Sequence, residues 1–558
     1  MKRLLSFILC VMMAASFLAA CGNSQKGGNT ENNAPPPPPA KLTIGIPVNA
    51  YILDYRNNAL TKYLEKEANC ELEFVPYSGG SAISCSPPPL SDEEAVLPDI
   101  IWGIAIGEEN VSRYGKEGLF IDLSSYFANR NGAAKVFWDR IEENYTPYEI
   151  ENIKRKMVDP DTGCIYYIPS LGTSLLDTMD YQAWINTTWL DTLGLPMPTN
   201  PESLYNTLVA FKKQDPNGNG KGDEIPIYGS ELGGDGADVI NYLVNMFLYF
   251  DDRKHFSVDE NGKLYTPFIT EEYREALQYI NKLYAEKLLP DSIFTTVSDD
   301  LKKVNSPQDR DGTIGNPLVG VFCGNLNLHF NEDSTLLEQY APLPYFEGQS
   351  VVFNNKFFDR NIFITKDCKD PDAAFRLIMK MFEEETSWRI RYGEYGVNWE
   401  YAPEGAVSDY GLPAEIKVID DPLGQSNSCQ WSSPYNGTLL EYRAGENVIW
   451  PEEATDWEKL RNEMSAQARK NADAAAEANN PDTLCPYLAY TEEELDQTEQ
   501  QRIAIRDYYT KSRTDFIKNK MDPYSDLEWG KYVQQVKDYG LDAWLAVAQA
   551  SYDRVPEI

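Results

Sequence analysis

The chain has 558 residues, of which 42% are hydrophobic, so it is too long for one core and apolar enough to form two or more. Its formal net charge of −36 opposes binding to nucleic acid, where affinity comes from neutralising phosphates. The same charge opposes docking on an anionic membrane through basic patches. Composition therefore predicts an acidic globular body with two or more lobes and no nucleic-acid partner.

The first residues predict an export signal that ends at a lipidation cysteine. Met1-Lys2-Arg3 is a basic start, residues 4–17 are almost all apolar, and small residues precede Cys21. The apolar run is shorter than the roughly 20 residues of a comfortable transmembrane helix. We expect residues 1–20 to be removed and Cys21 to carry the acyl chains (palmitate), on the extracellular face of the cell membrane. An ordinary secretion signal or an uncleaved anchor is the alternative.

Residues 21–40 predict a flexible stalk behind that lipid. The segment contains Gly27-Gly28, several asparagines and an uninterrupted proline run at 35–39. It has too few apolar groups to bury, and the prolines favour a stiff, extended chain. The stalk would hold the globular body away from the bilayer.

Strand and helix patterns alternate after the stalk. The first predicted elements are strands at 42–46, 71–75 and 97–102 and a helix at about 57–68. This order favours an α/β lobe with a mostly parallel sheet. Ligands of such sheets bind beyond the carboxyl ends of the strands, where Tyr51 and Trp102 stand.

The later predicted elements continue this mixture. The strand predictions are a crossing strand at 163–169, a strand opening the segment 181–190, a hairpin strand at 264–265, and strands at 319–322, 340–344 and 361–365. The helix predictions are 201–213 after the cap Asn200, 272–287, a helix after the cap Asp370, and a helix-rich acidic region from 455 onward.

The cysteine and histidine content limits which metal sites and catalytic mechanisms the chain can have. Of nine cysteines, one leaves with the signal and one carries lipid, and the other seven show no CxxC spacing. Buried free thiols are favoured over a zinc cluster, and a single disulfide bond is the alternative. The only histidines are His255 and His329, and no HExxH, GxSxG or Walker motif is present. A carboxylate-only glycosidase stays possible, although nothing singles out two acids.

Residues 215–224 carry oxygen ligands at the spacing of the first part of an EF-hand calcium loop. Gly220 supplies the sharp turn, but Pro226 stands where the twelfth-place Glu would be. A strand pattern follows the loop, so the ion would be structural rather than part of a sensor. A solvated Gly/Asn-rich turn is the alternative. The candidate calcium ligands are Asp215, Asn217, Asn219, the carbonyl of Lys221, Asp223 and Glu224.

Aromatic residues are abundant, with 35 tyrosines and 11 tryptophans. Their flat apolar faces are the surfaces on which sugar rings pack, although core packing is the commoner role of any one of them. Trp102 and Trp431 stand out through their strand-end and loop neighbours. The candidate substrate-binding residues are Tyr51, Trp102, Trp399 and Trp431.

Several segments in this order resemble the bacterial extracellular solute-binding proteins, the lipid-anchored receptors of carbohydrate-type ABC importers. Each segment alone is weak, but together they span nearly the whole mature chain. The segments are Leu97–Ile101, Tyr114–Leu123, Tyr167–Pro169, Trp189–Leu195, Asp215–Pro226, Ile364–Asp367, Tyr392–Trp399 and Tyr539–Asp542.

The resemblance implies an α/β, two-lobed periplasmic-binding-protein-like fold, each lobe a mostly parallel sheet flanked by helices and joined by hinge strands. One lobe would hold about 41–168 and 346–400, and the other 169–345 and 401–558. The Asp215 loop resembles the calcium site of alginate-binding members, which is structural and away from the sugar.

Two departures from the family pattern matter. Ser86-Pro87-Pro88-Pro89-Leu90 stands where relatives have a long helix before Leu97. Ile185-Asn186 stands where many relatives carry Ile-Arg. If that arginine reads an acidic group, its absence weakens an anionic-sugar interpretation.

The sequence therefore predicts a monomeric receptor without catalysis. It would capture an oligosaccharide between two lobes and deliver it to the transmembrane subunits of an ABC permease. A secreted carbohydrate-active enzyme, or a surface scaffold or signalling lipoprotein, is the alternative.

Overall fold

The computed structural model describes residues 38–77, 79–80, 84–85, 96–172, 181–232, 236–307, 315–331, 334–352, 357–408, 410–431, 440–441, 447–451, 455–476, 483–556 and 558. The predicted signal, Cys21, most of the stalk and the proline run at 86–90 lie outside these residues. No helix of the described ranges combines the length and apolar character needed to cross a membrane.

Short strands recur through the first four-fifths of the chain. They are β1 (Ala40–Pro47), β2 (Cys70–Tyr77), β3 (Gly79–Gly80), β4 (Ser84–Cys85), β5 (Ile100–Ala105), β6 (Ile168–Gly172), β7 (Ala183–Asn186), β8 (Ile225–Tyr228), β9 (Ser257–Val258), β10 (Leu264–Tyr265), β11 (Val319–Cys323), β12 (Tyr340–Pro342), β13 (Phe357–Ile364), β14 (Trp399–Tyr401), β15 (Ile416–Val418), β16 (Leu440–Glu441) and β17 (Val448–Ile449).

Helices connect the strands and dominate the carboxyl-terminal region. They are α1 (Ala59–Ala68), α2 (Glu108–Lys116), α3 (Ser124–Ala128), α4 (Lys135–Asn144), α5 (Pro147–Met157), α6 (Thr187–Leu193), α7 (Pro201–Lys213), α8 (Val239–Val244), α9 (Glu271–Ala285), α10 (Ser298–Asn305), α11 (Leu326–His329), α12 (Pro371–Lys380), α13 (Glu384–Tyr392), α14 (Asp456–Ala476), α15 (Glu492–Ile517), α16 (Asp526–Asp538) and α17 (Leu541–Asp553).

Local capping signals set several helix starts. Asn200 accepts from Ser203 N at 2.8 Å, and Pro201 occupies the first helical position, where its missing N–H costs nothing. Asp370 caps α12 in the same way, accepting from Ala373 N at 2.9 Å. Both starts were expected from the sequence and are confirmed.

The first sheet has the strand order β16-β6-β13-β5-β1-β2. β1 lies parallel to β2 and to β5, and β16 lies parallel to β6, whereas β13 runs antiparallel to both of its neighbours. Alternate residues of β5 face opposite sides, as the strand period requires. Trp102 therefore packs in the core under α1 and α12, and Ile101 packs on the opposite face.

The second sheet has the order β12-β7-β11-β8. Only β11 and β8 are parallel, and β7 is antiparallel to β11 and to β12. This sheet is mixed, which differs from the expected mostly parallel arrangement. The reversed strands of the two sheets, β7 and β13, are the ones that the chain enters on crossing from the other sheet.

Each sheet has its own hydrophobic core, so the expected two-lobed α/β class is confirmed. The second core also takes in residues from the carboxyl-terminal helices, including Tyr509, Phe516 and Trp544. Trp431 lies in the core of the first sheet, and β16 pairs with β6 there. Residues 401–431 and 440–441 thus include parts that pack with the first sheet.

Six cysteines are free thiols. Cys70, Cys323, Cys368 and Cys485 are buried, and Cys164 and Cys429 are half-buried. Burial raises the pKa of the Cys70, Cys368 and Cys485 thiols to about 12. The predicted preference for buried thiols holds for these residues.

Candidate functional site

The carboxyl edge of the second sheet gathers segments that are far apart in sequence. β8 and β11 run parallel and end together, and Cys323 of β11 pairs with Ala183 at the start of antiparallel β7. The residues after β8, the residue after β11 and the residues before β7 therefore meet at this edge. Gly236, with φ of +77°, lies so close that a Cβ there would be 3.2 Å from Tyr181 N.

A hydrogen-bonded polar cluster occupies this edge. Asn241 Nδ2 donates to Asp238 Oδ2 and to Asp252 Oδ2, both at 2.8 Å. Tyr181 Oη donates to the other oxygen of Asp252 at 3.1 Å. Arg513 reaches the cluster from α15. We call the edge cluster the six residues Tyr181, Glu231, Asp238, Asn241, Asp252 and Arg513.

Arg513 is the cationic centre of the edge cluster. Its side chain is 5% exposed; Nη2 donates to Glu231 Oε1 at 2.7 Å and Nη1 to Asn241 Oδ1 at 3.2 Å. Burial raises the pKa of Asp238 to about 7, while the charge of Arg513 opposes that shift. Asp252 is half-buried, and the side chain of Glu231 keeps 10% of its surface exposed. Their free acceptor positions can therefore bind hydroxyl groups of a ligand.

The carboxyl edge of the first sheet presents Tyr51. β1 ends at Pro47, and the loop that follows leaves Tyr51 46% exposed. Asn427 N donates to Tyr51 O at 2.8 Å, and Leu53 N donates to Asn427 O at 2.9 Å. These bonds join two loops, so the exposed phenol stands on a fixed backbone at the edge where ligands of such sheets bind.

Trp102 and Trp431 are brought into direct contact, as an edge-to-face pair with ring centroids 5.5 Å apart. Each is 1% exposed, and Trp431 Nε1 donates to Thr61 Oγ1 at 2.7 Å. Neither ring offers an open face to a ligand in this conformation. Their predicted stacking on a substrate stays a prediction, and their burial favours core packing.

Trp399 lies apart from the other candidates. It is fully buried in a small sheet of β14, β15 and β17, beside Trp388 and Tyr392. The exposed rings there are its neighbours Tyr395 and Tyr401, 44% and 47% exposed. Its substrate contact is also untested.

The calcium-like loop lies at the opposite edge of the second sheet from the edge cluster. It joins α7 to the amino end of β8, which starts at Ile225. Since β8 spans four residues at about 3.3 Å each, the loop and the cluster are separated by roughly the length of the strand. A cation there would support the loop and would not touch a ligand at the carboxyl edge.

The loop has the donor chemistry of a site for a hard cation. Asp215 Oδ1 and Glu224 Oε1 are buried and accept no hydrogen bond from the described residues. Burial raises the pKa of Glu224, and the charges of Asp215 and Asp223 add to the shift. Buried carboxylate oxygens normally have partners, so the two orphaned atoms favour a bound ion.

The other candidate ligands in the loop form hydrogen bonds with the backbone and side chains of the loop itself. Asn217 Oδ1 accepts from Asn219 N at 3.0 Å, and Asn219 Oδ1 accepts from Lys221 N at 2.7 Å. Asn219 Nδ2 donates to Asp223 Oδ1 at 3.0 Å. Over the described part of the chain, no three Asp, Glu, His or Cys side chains converge as a metal site. The oxygen-bearing side chains of the loop are of the kind that calcium prefers. The two buried carboxylate oxygens without a hydrogen-bond partner favour a bound calcium ion.

Asn186, the position of the family departure, is not at the ligand edge. Its side chain is buried at the far end of β7, where Oδ1 accepts from Trp189 N at 2.9 Å and caps α6. In this chain the residue is a helix cap. Its identity therefore says nothing here about the charge of a ligand.

Sequence reasoning missed the edge cluster. Its members are separated by as many as 332 positions, from Tyr181 to Arg513, and form no motif. The one local signal is Asp238, whose Oδ1 caps α8 by accepting from Ile240 N and Asn241 N at 2.9 and 3.0 Å. A cap is a structural signal, and only the sheet topology turns it into part of a site.

This geometry can be compared with known proteins. FusA of Streptococcus pneumoniae serotype 4, a fructooligosaccharide ABC transporter substrate-binding protein, is 25% identical over 522 residues, covering 90% of this chain and 88% of FusA. An HMO-binding, ABC-transporter-associated solute-binding protein of Bifidobacterium longum infantis has a TM-score of 0.69 at 20% identity, covering 93% of this chain and all of that one. The chain has the fold of an extracellular solute-binding protein.

Alginate-binding protein AlgQ2, solved without calcium ion, shares the solute-binding fold with a TM-score of 0.55 at 20% identity, covering 93% of this chain and 98% of AlgQ2. No protein-family model matches the chain. FusA and the Bifidobacterium protein are solute-binding proteins of ABC transporters, so the resemblance drawn from the sequence is confirmed.

Proposed function

We propose that the chain is the substrate-binding protein of an ABC importer and that it captures an oligosaccharide between its two sheet-centred lobes. The observation that carries the proposal is the edge cluster, which places carboxylate, amide and phenol groups at the edge where ligands of this fold class bind. Such groups hydrogen-bond sugar hydroxyls, and FusA and the Bifidobacterium protein are described as oligosaccharide binders.

Capture would work by a shift between conformations. A sugar held by the edge cluster and by Tyr51 contacts both lobes only when they approach, so it favours the closed form by its differential affinity. The closed form would dock on the permease. The protein needs no chemistry of its own for this task.

The proposed lobes follow the packing of the described residues. One holds about 40–172, 357–431 and 440–451, and the other holds about 181–352 and 455–556. The chain crosses between β6 and β7, again between β12 and β13, and a third time after β17. Three crossings suit a hinge because each can flex without disturbing a core.

The receptor would be monomeric and tethered. Cys21 would carry the lipid on the extracellular face of the cell membrane, and residues 21–40 would give the body reach toward the permease. Two or three acyl chains anchor stably where one does not.

We further propose a structural calcium ion in the 215–224 loop. The orphaned oxygens of Asp215 and Glu224 support it, with Asn217, Asn219, Asp223 and the carbonyl of Lys221 as the remaining ligands. Calcium would neutralise part of the carboxylate charge and hold α7 to β8.

Calorimetric titration with fructo-oligosaccharides, neutral milk-type oligosaccharides and alginate oligomers tests the proposed transport function. We expect saturable binding of one class, with affinity reduced at least tenfold in Glu231→Gln and in Asp252→Asn. Glu260→Gln, an exposed acid in the β9–β10 turn, is the matched control and should bind normally. Chromatography of the same mixtures should show intact sugar. Product formation would instead favour a carbohydrate-active enzyme. The absence of binding to every class of oligosaccharide would favour a surface scaffold or signalling lipoprotein.

A further inference from the structure

Helix α5 has two faces with different partners. Ile153 and Met157, four residues apart, lie on the face that packs into the first core. Tyr148, Asn152 and Arg155 follow one another at intervals of four and three residues, so they share the opposite face. Asn152 and Arg155 are nevertheless 4% and 3% exposed. A buried polar face needs hydrogen-bond partners, and segments of the second lobe supply them here.

The guanidinium of Arg155 binds the carboxyl end of α17. Its Nη1 donates to Ser551 O at 3.2 Å and to Arg554 O at 3.3 Å. Its Nη2 donates to Tyr552 O at 2.8 Å. A cation in this position satisfies the last carbonyls of a helix and complements the helix dipole. Because Trp544 of α17 lies in the second core, Arg155 joins a helix of the first lobe to a helix of the second.

The beginning and middle of α5 are bonded to the second lobe as well. Tyr148 Oη donates to Cys485 O at 2.8 Å. Lys254 Nζ donates to Cys485 O and to Tyr148 Oη, both at 3.0 Å. Tyr487 N donates to Asn152 Oδ1 at 2.5 Å. We call these contacts of α5 with the second lobe, together with those of Arg155, the α5 seam.

The bonds at the two carboxyl edges are arranged differently from those of the α5 seam. The hydrogen bonds that hold the edge cluster together run within the second lobe. The bonds between the loops of Tyr51 and Asn427 run within the first lobe. All of these bonds survive when the carboxyl edges separate. The lobes cannot part at α5, however, without losing every bond of the seam, and those of Arg155 and Lys254 are strengthened by the charge of the donor.

We propose that the α5 seam is the pivot on which the two lobes turn, and that it stays closed while the carboxyl edges open and close. This inference rests on the proposed capture of a ligand between the lobes. Arg155 and Lys254 are positioning residues in this motion, because they act on how the two edges meet and not on the sugar. A closed seam restricts the relative motion of the lobes, so less conformational freedom is lost when a ligand brings the edges together.

Hydrogen exchange and small-angle X-ray scattering of the full mature chain test the pivot. We expect the Tyr487 amide to exchange as slowly as the amides of β5, and its rate to change less than about threefold when a sugar of the titration panel binds. Arg155→Met does not touch this amide, but it should accelerate the exchange at least about tenfold and raise the radius of gyration of the sugar-free chain, because the lobes are no longer held at α5. Arg376→Met, at an exposed arginine of α12, is the matched control and should change neither quantity.

Three results would overturn the pivot. They are exchange of the Tyr487 amide at the rate of an exposed loop, a change of about threefold or more in that rate when sugar binds, and an unchanged radius of gyration in a folded Arg155→Met variant. If Arg155→Met fails to melt cooperatively, Tyr148→Phe combined with Lys254→Met, which leaves Arg155 in place, decides by the same two measurements. The sugar-free measurements need no ligand, so a failure of every sugar to bind would refute the proposed function and would still leave the pivot to be decided by them.

Discussion

His329 should make the stability of the second-sheet core strongly dependent on pH. The ring is fully buried, with Nε2 at 2.8 Å from Cys323 O and Nδ1 at 2.6 Å from Asn305 Nδ2. The neutral ring satisfies both contacts if Nε2–H donates to the carbonyl and Nδ1 accepts from the amide. A second proton on Nδ1 would face the amide donor, and burial would leave the charge unsolvated.

The size of the effect follows from the pKa of His329. Burial lowers it to about 3 from an ordinary value of 6.5. Below pH 6.5 the unfolded chain takes up a proton that the folded chain refuses, so stability is complete above pH 6.5 and falls as the pH drops toward 3. Between pH 7.5 and pH 5 the loss from this one residue is about 2 kcal/mol.

Comparison of the parent with His329→Gln isolates this contribution. Burial lowers the pKa of His255 to about 4 and raises that of Asp238 to about 7, but both groups are present in each protein and cancel. Urea unfolding at pH 7.5 and pH 5 should show a loss about 2 kcal/mol smaller in the variant, whatever its stability at pH 7.5. If the stability losses of the parent and of His329→Gln between pH 7.5 and pH 5 differ by less than about 0.5 kcal/mol, the neutral, hydrogen-bonded state of the ring is refuted. His255→Gln provides a parallel measurement.

Four other changes have defined outcomes. Trp431→Phe should lower the free energy of unfolding by about 1 to 2 kcal/mol in urea through the lost indole hydrogen bond and packing, and leave sugar affinity unchanged if the ring is only core. Arg513→Met should cost about 3 to 5 kcal/mol, because it leaves buried carboxylates unpaired; a small shift in the melting temperature would contradict the central role of its charge. Calcium at 100 times its Kd should stabilise the parent by about 2.7 kcal/mol, an effect that chelator reverses and that Asp215→Asn with Glu224→Gln removes; equal melting with and without calcium would exclude the site. Cys21→Ser should move the protein from the membrane fraction to the medium, as fractionation and a labelled fatty acid would show, and retention with unchanged labelling would place the lipid elsewhere.

Local sequence signals predicted local structure well. Asn200 with Pro201, and Asp370 with Pro371, are interactions among neighbours, so the chain carries the whole cause of those helix starts. The strand at Ile225–Tyr228 followed in the same way from its apolar residues. The two-lobed class came from the order of such elements and from the family resemblance.

The sequence could not predict the role of a residue when that role depends on which face of a strand its side chain occupies. Trp102 belongs to a continuous apolar run with no alternation, so the pattern does not say which face of the strand it occupies. The edge cluster could not be predicted from the sequence for another reason. Asp252 and Arg513 become neighbours of Tyr181 only through the register of β7 against β11 and the packing of α15.

The free thiols have a consequence for a receptor that is exported as proposed. Disulfide exchange and oxidation both proceed through the thiolate, and a pKa of about 12 leaves roughly 10⁻⁵ of a thiol ionised at pH 7. Once folded, Cys70, Cys368 and Cys485 are therefore chemically quiet in an oxidising medium. If the chain is exported as proposed, these thiols would be reactive before folding, when the cores have not yet closed over them. Speed of folding, rather than any oxidising helper, would then decide how much active receptor reaches the cell surface.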